Sequence, residues 1–286
     1  MQIRKRSGAL EDYAPGKITA AMSRAFASVG EPPEAEVLAE LVAAVEQSLG
    51  QGEAAVEEIQ DQVERALMAR GHFAAAKSYI LYRQKRTELR AARQEIVRRY
   101  YTALCDRRVG AAGDELVNKL ELLMQQAHVD PSIRPVVAAA AQVAEETGNP
   151  AGAIELPSGE VVTGKTTDLM GASSATLLNA LKRLAGIDHQ HHLISREAIE
   201  PIQAVKVNHL GSVNPRLHSD ETLIALAISA TTNPLAKRAL DQLSALRGCE
   251  AHSTVILSPV DSGTYSRLGL RLTCEPQYET NKLYHK

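Results

Sequence analysis

Tryptophan is absent from this chain, and aromatic residues make up only 3% of its 286 residues. The core must therefore be built largely from Ala, Leu, Val and Ile. The cysteines Cys105, Cys249 and Cys274 lie far apart without a Cys-x-x-Cys spacing, which excludes a disulfide scaffold and indicates reduced thiols. No apolar run approaches the roughly 18 residues of a membrane span, and a net charge of -2 gives no general reason to bind nucleic acid. We expect a soluble, cytoplasmic protein without a membrane partner.

Turn residues and periodic apolar positions divide the chain into three segments. Residues 1–92 predict a β-hairpin, Ile3 to Asp12 with its turn at Ser7-Gly8, followed by four helices. Those helices are expected near 17–29, 34–49, 56–71 and from Phe73 past Tyr100. Residues 93–150 predict a helical connector, and residues 151–286 an α/β domain with a small mixed sheet. The fold class is thus α+β for the first segment and α/β for the last.

The last segment alternates between strand and helix signals. A hairpin is expected around Pro157-Ser158-Gly159, with strands at 154–156 and 161–163. A helix over 172–184, a short strand at 192–194 and helices near 198–207, 220–230 and 234–246 follow. Strand 254–257, helix 261–268 and strand 270–273 predict a βαβ finish.

Basic residues are concentrated in two places in the first half of the chain. Lys5 and Arg6 on the hairpin, with Lys17 opening a helix, can hold phosphates, although a solvated basic strand is the plainer alternative. Residues 77–108 contain ten Lys/Arg and three acids, a net of +7, with interleaved tyrosines. We interpret this second run as a solvated helix face, and nucleic acid is not an expected partner.

Two motifs at the ends of the first segment resemble those of the ATP-cone. This family is the regulatory nucleotide-binding module of many ribonucleotide reductases and of their bacterial repressor. The opening motif is matched by Ile3, Lys5-Arg6-Ser7-Gly8, Tyr13 and Lys17-Ile18, and the closing motif by Tyr79-Ile-Leu-Tyr82-Arg83-Gln-Lys-Arg86. Ser7 stands where Asp or Asn is usual, and Ala14 where a helix-capping Asp or Ser is common. These departures affect the hairpin turn and the cap more than the phosphate site.

The resemblance implies a binding site for ATP or dATP, with Mg²⁺ arriving on the nucleotide rather than being held by protein ligands alone. It places Lys5, Arg6, Lys17 and Lys85 at phosphates and Glu11 near the sugar or base. It also assigns Ile3, Ile18, Ile59, Gln60 and Leu81 to the nucleotide site, the last four as walls around the base. Adenine nucleotides and further copies of the chain are the expected partners. The alternative is a cone that has lost nucleotide binding.

The rest of the chain, from about Ala92, resembles the C-terminal half of a bacterial family known as domain of unknown function 1846. The resemblance rests on five stretches: Ala153-Ile-Glu-Leu-Pro-Ser-Gly, Val162-Thr-Gly-Lys165, Leu193-Ile-Ser195, Glu200-Pro-Ile202 and Arg247-Gly-Cys-Glu-Ala-His-Ser-Thr254. The family has no assigned reaction. The resemblance therefore implies an architecture and no activity.

Three known kinds of site can be compared with patterns in this segment. Gly159 to Thr166 matches the phosphate-loop pattern, but Val161-Val162-Thr163 favours a strand and Gly159 a hairpin turn. Asp188-His-Gln-His-His192 has the composition of a metal site but predicts a surface turn, because no familiar ligand spacing completes it. Zinc deamination is excluded, since the helix start Met170-Gly-Ala-Ser-Ser174 lacks the zinc motif and no later Pro-Cys-x-x-Cys exists.

Polar residues at element ends are the remaining site candidates: Ser173, Ser174, Asn179, Glu200, Asn233, Glu250, His252, Ser253 and Asp261. Glu250 and His252 share a face if residues 249–257 form a strand, and a histidine beside a carboxylate can act as an acid or base. The alternative is a structural histidine at a strand end. We interpret the whole as a nucleotide-sensing regulatory protein, in which the cone controls oligomerisation or the C-terminal domain. A cone-gated enzyme and an inert interaction module stay open as alternatives.

Overall fold

The computed structural model describes residues 1–5, 10–50 and 52–279. The chain divides into two compact units, Met1–Ala92 and Arg93–Lys286. Within the described residues, no helix is both long and apolar enough to cross a membrane.

The N-terminal unit is a three-stranded sheet with helices. Its elements are β1 Gln2–Arg4, β2 Leu10–Asp12, α1 Pro15–Ser28, α2 Ala35–Leu49, β3 Glu53–Ala55, α3 Val56–Ala69 and the start of α4, which runs Phe73–Arg108. The hairpin strands, the four helices and the continuation of α4 past Tyr100 confirm the prediction. The predicted turn Ser7-Gly8 lies outside the described residues.

Strand β3 is an element that the sequence did not predict. It pairs in parallel with β1, which places Ile3 opposite Ala54 and gives the sheet order β2-β1-β3. Three residues are too few to show an alternating pattern, so this strand depends on its partner and not on its own propensity. Its pairing carries the chain directly into α3, which begins at Val56.

Apolar faces of the four helices form the core of the N-terminal unit. Met22, Leu41, Val45 and Leu67 are completely buried there. Buried residues of one helix recur at helical spacing, as Leu41 and Val45 do on α2, so each helix turns one stripe inward. Helix α1 starts without a side-chain cap at Ala14 and has Pro15 in its first turn, where proline's missing N–H leaves no bond unmade.

The C-terminal unit contains the rest of α4 and the remaining elements. These are α5 Asp114–Ala127, α6 Pro135–Thr147, β4 Ala151–Glu155, β5 Val161–Lys165, α7 Ala172–Leu184, α8 Arg196–Asn208, α9 Ser219–Ser229, α10 Pro234–Leu240, β6 Glu250–Ser253, α11 Pro259–Arg267 and β7 Arg271–Cys274. The sheet order is β5-β4-β6-β7, with β6 and β7 parallel and the other pairs antiparallel. The βαβ finish is thus confirmed, through β6, α11 and β7.

Helices cover both faces of this sheet. Alternate residues of β4 point to opposite sides, so Ala153 packs against α6 while Ile154 joins the core beneath α7. Helix α7 approaches β5 so closely that a Cβ on Gly164 would lie 2.3 Å from the Thr176 backbone nitrogen. Glycine is therefore required at this position for the helix to dock on the sheet.

Two of the strand predictions are wrong: one segment forms no strand, and the other strand lies earlier in the chain than expected. Residues 192–194 form no strand, because Leu193 and Ile194 bury their side chains in the core without pairing their backbones. The strand expected at 254–257 lies at Glu250–Ser253, and the chain bends there before Ser258 caps α11. The phosphate-loop pattern is a hairpin, as predicted, since Gly159 has φ of 83° and Val161–Lys165 is a strand.

Candidate functional sites

A cavity of about 310 Å³ in the N-terminal unit lies where β1, α1, α3 and α4 meet. Ile3, Ile18, Ile59 and Val63 give it apolar walls, and the buried Tyr79 closes one side. Seven residues of the predicted nucleotide set line it: Ile3, Lys5, Glu11, Lys17, Ile18, Ile59 and Gln60. An apolar slot bordered by charged groups is typical of small-molecule sites.

Two lysines converge on one carboxylate at this cavity. The Nζ atoms of Lys5 and Lys17 each lie 2.6 Å from a different carboxylate oxygen of Glu11. Hydrogen bonds from Lys17 and then Lys5 lower the pKa of Glu11 to about 2. All three side chains are well exposed, so the ion pairs are weak and can exchange for another anion.

Of the three other members of the predicted nucleotide set, two are described and do not line the cavity. Arg6 lies outside the described residues. Leu81 and Lys85 are exposed on α4, two and six residues after Tyr79. At 3.6 residues per turn these offsets turn them about 160° and about 120° away from the cavity wall. Of the described residues of α4, Tyr79 lines the cavity, so the helix borders the cavity with its Tyr79 face.

Sequence reasoning missed a basic groove beside this cavity. The groove, about 650 Å³, includes Arg24, Arg86 and Arg90 in its lining and shares Lys17, Gln60 and Tyr79 with the cavity. The residues of α4 that line the groove recur at helical spacing from Tyr79, so they share one face of the helix. A count of charges over residues 77–108 does not show this spacing. Arg83 belongs to the same face and is held by Asp61 at 2.6 Å and Glu64 at 2.8 Å.

Glu250 and His252 lie on one face of β6, as their spacing suggests, but their contacts are with other residues. The fully buried Arg134 donates from Nη2 to Glu250 Oε2 at 2.7 Å and from Nε to the same oxygen at 3.1 Å. Its Nη1 donates to Thr273 Oγ1. The arginine thus ties β6 and β7 to the start of α6.

His252 is enclosed in this same network. Its Nδ1 lies 2.9 Å from Thr273 Oγ1, its ring packs edge-on against Tyr101 with centroids 5.0 Å apart, and Glu275 Oε1 is 3.3 Å from Nε2. Burial lowers its pKa, although Glu275 opposes that effect. His252 is not among the described residues that line the N-terminal cavity or the C-terminal cavity described below. The contacts favour the structural interpretation of this histidine.

Other polar candidates have local structural partners. Ser174 Oγ donates to the Leu217 carbonyl at 3.0 Å, and Asn179 Nδ2 to the Thr163 carbonyl at 2.9 Å. Asn233 caps α10, and Glu200 pairs with Arg196 on the surface. Ser253 Oγ accepts a bond from the Val255 backbone. The predicted surface turn at 188–192 is exposed, and the carboxylate of Asp188 accepts a hydrogen bond from the backbone N–H of Gln190.

A second cavity, about 370 Å³, lies in the C-terminal unit where α7, α9 and α11 begin. Asp261 is buried in its wall, with 9% of its side chain exposed. Its Oδ2 accepts from His218 Nδ1 at 2.9 Å and Ser258 Oγ at 2.8 Å. Its Oδ1 accepts from Ser173 Oγ at 2.9 Å and from Ser219 Oγ and N at 2.6 and 2.8 Å. Five donors therefore converge on one buried carboxylate.

Ser173 and Asp261 belong to the predicted polar set, whereas His218, Ser219 and Ser258 were missed. A sequence signal exists, since Ser258-Pro259 and His218-Ser-Asp-Glu221 both resemble helix starts. The tertiary fold brings these helix starts together, and local sequence patterns do not predict that packing.

The charge state of this cluster follows from its contacts. Burial alone would raise the pKa of Asp261, but hydrogen bonds from His218 and Ser219 hold that pKa well below its ordinary value. The hydrogen bond with Asp261 raises the pKa of His218, although burial opposes it. The pair is thus stabilised as a carboxylate facing an imidazolium.

A small unit of a three-stranded sheet with helices, followed along the chain by an α/β domain, is the class of protein that the fold defines. Residues 1–88 match the family model of the ATP cone domain. Residues 132–284 match the model described as domain of unknown function DUF1846, C-terminal. Because this second match covers more than half of the chain, the protein belongs to the DUF1846 family.

Curated relatives carry the name UPF0371 protein. The chain is 53% identical over 196 residues to a UPF0371 protein from Corynebacterium efficiens, and 50% identical over 196 residues to one from Streptococcus pneumoniae. Each match covers 68% of this chain and 40% of the relative. The chain thus spans well under half of the length of these relatives.

Proposed function

We propose that residues 1–92 bind ATP or dATP together with Mg²⁺, and that the bound nucleotide controls the oligomeric state or the activity of the C-terminal unit. The match to the ATP cone domain supports the class of ligand. The observation that carries the proposal is the convergence of Lys5 and Lys17 on one exposed carboxylate beside an apolar cavity.

In this proposal the base lies against Ile18 and Ile59, and the phosphates take the place of Glu11 at the two lysines. Ammonium–phosphate hydrogen bonds are charge-assisted and therefore stronger than neutral ones. Mg²⁺ neutralises part of the triphosphate charge and is bound mainly through phosphate oxygens and water. Arg6, adjacent to Lys5 in sequence, adds a further phosphate contact.

Titration calorimetry with the full chain tests the binding step. We expect Lys5→Ala and Arg6→Ala each to weaken ATP binding about tenfold, or roughly 1.4 kcal/mol. Lys77→Ala is the matched control, because Lys77 is an exposed lysine of α4. Absence of binding to the parent protein at millimolar nucleotide would contradict the proposal.

Nucleotide acts on the rest of the protein in this account by differential affinity and not by hydrolysis. A ligand shifts an equilibrium only when it binds one conformation or assembly better than another. A coupling of about 1–3 kcal/mol is sufficient to change populations visibly. Size-exclusion chromatography with light scattering should give different masses for the apo, ATP-bound and dATP-bound protein. Identical masses, with binding established, would remove support for control of assembly.

An enzyme with its active site in the C-terminal unit, gated by the cone, is the second candidate. The buried Asp261–His218 pair beside a cavity favours it, because perturbed titratable groups collect at functional sites. Mass analysis of small molecules that co-purify with the protein separates the candidates. Retained nucleotide alone supports the regulatory role, and a second retained compound supports the enzyme.

A further inference from the structure

A pocket of about 440 Å³ lies in the C-terminal unit, bordered by α7, the end of β5 and the loop that leads into α8. We call it the lysine pocket, because Lys165 on β5 and Lys182 on α7 both line it. It shares no described lining residue with the cavity beside Asp261, so it is a separate site. Its volume is within the range of small-molecule sites.

The interior of the lysine pocket is apolar. Leu178, Leu193, Ile194 and Ile199 line it, and all four are buried. The residues of α7 that line the pocket recur at helical spacing and therefore share one face of the helix: Ala175, Leu178, Asn179 and Lys182. An apolar interior of this kind favours a ligand whose body is apolar.

The polar groups of the pocket wall are neutral or basic. Lys165, Lys182, His189 and His192 line it, and no acidic side chain is among the described lining residues. Lys182 Nζ donates to the carbonyl oxygen of His189 at 3.0 Å, which is a neutral acceptor. Burial lowers the pKa of Lys182, although Asp188 opposes that effect. Two ammonium groups beside an apolar interior complement a ligand with an anionic end.

The basic residues of the pocket come from two separate sequence patterns. Lys165 belongs to the pattern that resembles a phosphate loop, whereas His189 and His192 belong to the exposed turn before α8. Asn179 Nδ2 donates to the Thr163 carbonyl at 2.9 Å, which holds α7 against β5. The tertiary fold thus assembles at one pocket basic residues that neither pattern combines by itself.

The loop between β5 and α7 forms a wall that is set before a ligand arrives. The Thr167 hydroxyl accepts hydrogen bonds from the backbone N–H groups of Leu169 and Met170, each at 3.3 Å. Gln203 Nε2 donates to the Asp168 carbonyl at 3.0 Å. Leu169 and Met170 line the pocket from this loop. A wall held in place by such bonds loses little conformational freedom on binding.

We propose that the lysine pocket binds a small molecule with an apolar body and one terminal oxyanion, a carboxylate or a phosphate. The oxyanion accepts hydrogen bonds from the ammonium groups of Lys165 and Lys182, and such charge-assisted bonds are stronger than neutral ones. The apolar body lies against Leu178, Leu193 and Ile199.

The test is NMR of the methionine methyl groups in the full chain, titrated with octanoate and, separately, with octyl phosphate. Met170 is one of five methionines and lines the pocket, so its methyl signal reports this site and not an anion bound in the N-terminal unit. 1-Octanol has the apolar body without the charge, whereas acetate and inorganic phosphate have the charge without the body. We expect a saturable shift with octanoate or octyl phosphate, at least about tenfold tighter than with the three partial probes.

Substitution of each lysine tests the anionic end. Lys182→Gln should weaken binding of the anionic probe by about tenfold, and the more exposed Lys165→Gln by about threefold. Binding of 1-octanol should be unchanged in both variants. Lys119→Gln is the matched control, because Lys119 is an exposed lysine of α5 in the same unit. Lys165 is exposed on β5, so Lys165→Gln tests the proposal even if Lys182→Gln fails to fold.

The two anionic probes identify the ligand class. A shift with octanoate alone assigns a carboxylate, a shift with octyl phosphate alone assigns a phosphate, and shifts with both assign a general oxyanion site. A Met170 signal that responds to neither probe would overturn the proposal. Equal affinity for 1-octanol or for the short anions would also overturn it, as would unchanged affinity in either folded lysine variant.

Discussion

The charged side chains of the two cavities differ in how exposed they are and in how firmly they are held. In the N-terminal unit Lys5 and Lys17 are 50% and 67% exposed and meet a carboxylate that is itself 37% exposed. In the C-terminal unit His218 and Asp261 are 16% and 9% exposed and fixed by serine hydroxyls. Exposed pairs rearrange at little cost, whereas buried pairs are set before a ligand arrives. The first arrangement allows one anion to exchange for another, whereas the second holds its charged groups in fixed positions.

The network around Arg134 shows that burial of charge does not by itself make a site. Arg134 is fully buried and Glu250 is 12% exposed, which is as enclosed as the Asp261–His218 pair. Its hydrogen bonds join α6, β6 and β7. The Asp261 cluster lies in the wall of the C-terminal cavity, and substitutions in the two networks can test whether their roles differ.

The largest effect is expected from Arg134→Met. The substitution removes both Arg134 hydrogen bonds to the half-buried Glu250 and leaves it only the longer contact with the exposed Arg271, at 3.5 Å. Loss of one member of a buried pair costs about 3–5 kcal/mol. Urea unfolding should show that decrease in the free energy of unfolding. Arg183→Met is the control, because Arg183 and Glu160 form an exposed pair worth less than about 1 kcal/mol. Equal losses from both variants would show that the Arg134 network is not structural.

The next effect is expected from His252→Ala, at about 1–3 kcal/mol of stability. The reason is the loss of the contacts with Thr273 and Tyr101 in the buried network. Thermal unfolding measures the loss, and co-purifying small molecules should be unchanged. An unchanged melting temperature with loss of a bound molecule would instead support Glu250 and His252 as a reactive pair.

The two histidines should respond to pH with opposite signs. His218 has a raised pKa, so its stabilisation is complete below the unfolded value of about 6.5 and is lost as pH rises through the folded value. His252 has a lowered pKa, so its stabilisation is present above about 6.5 and is lost as pH falls through the folded value. Urea unfolding of His218→Gln and His252→Gln across pH checks this. Parallel profiles for the two variants would contradict the assigned environments.

The smallest effect is expected from Glu11→Gln. Removing the carboxylate frees Lys5 and Lys17 for phosphate, so nucleotide affinity should rise by about twofold to fivefold, as expected for weak exposed pairs. Calorimetry with ATP measures the change, with Glu31→Gln as the control on an exposed loop. A fall in affinity would place Glu11 at the sugar or base, the position that its family resemblance implies.

Local patterns predicted the elements well and the clusters poorly. Helix Ala172–Leu184 and the hairpin at Gly159 follow from apolar periodicity and turn residues, which are local properties. Strand β3 needed its partner β1, and His218 needed the docking of α9 beside α11. Tertiary contacts of this kind leave no period in the sequence.

The cavity of the N-terminal unit shows the same limit within a recognised motif. That Lys5, Lys17 and Ile18 lie together at one cavity could be predicted because the family motif is short and lies at the start of the sequence. Lys85 and Leu81 depend on the rotation of α4 about its own axis, which follows from how Tyr79 and Arg83 pack against α3. A motif match does not determine that rotation.

In the proposed complex, nucleotide binds the cavity face of α1 and α4, and Lys17 holds its phosphates there. Calorimetric titration of ATP into the parent protein, Lys17→Ala and Lys85→Ala tests this binding mode, since both are exposed lysines of the N-terminal unit. We expect binding to the parent, about tenfold weaker binding to Lys17→Ala, and near-parental binding to Lys85→Ala. Absence of binding to the parent would contradict the account, as would a loss in Lys85→Ala that Lys17→Ala does not share.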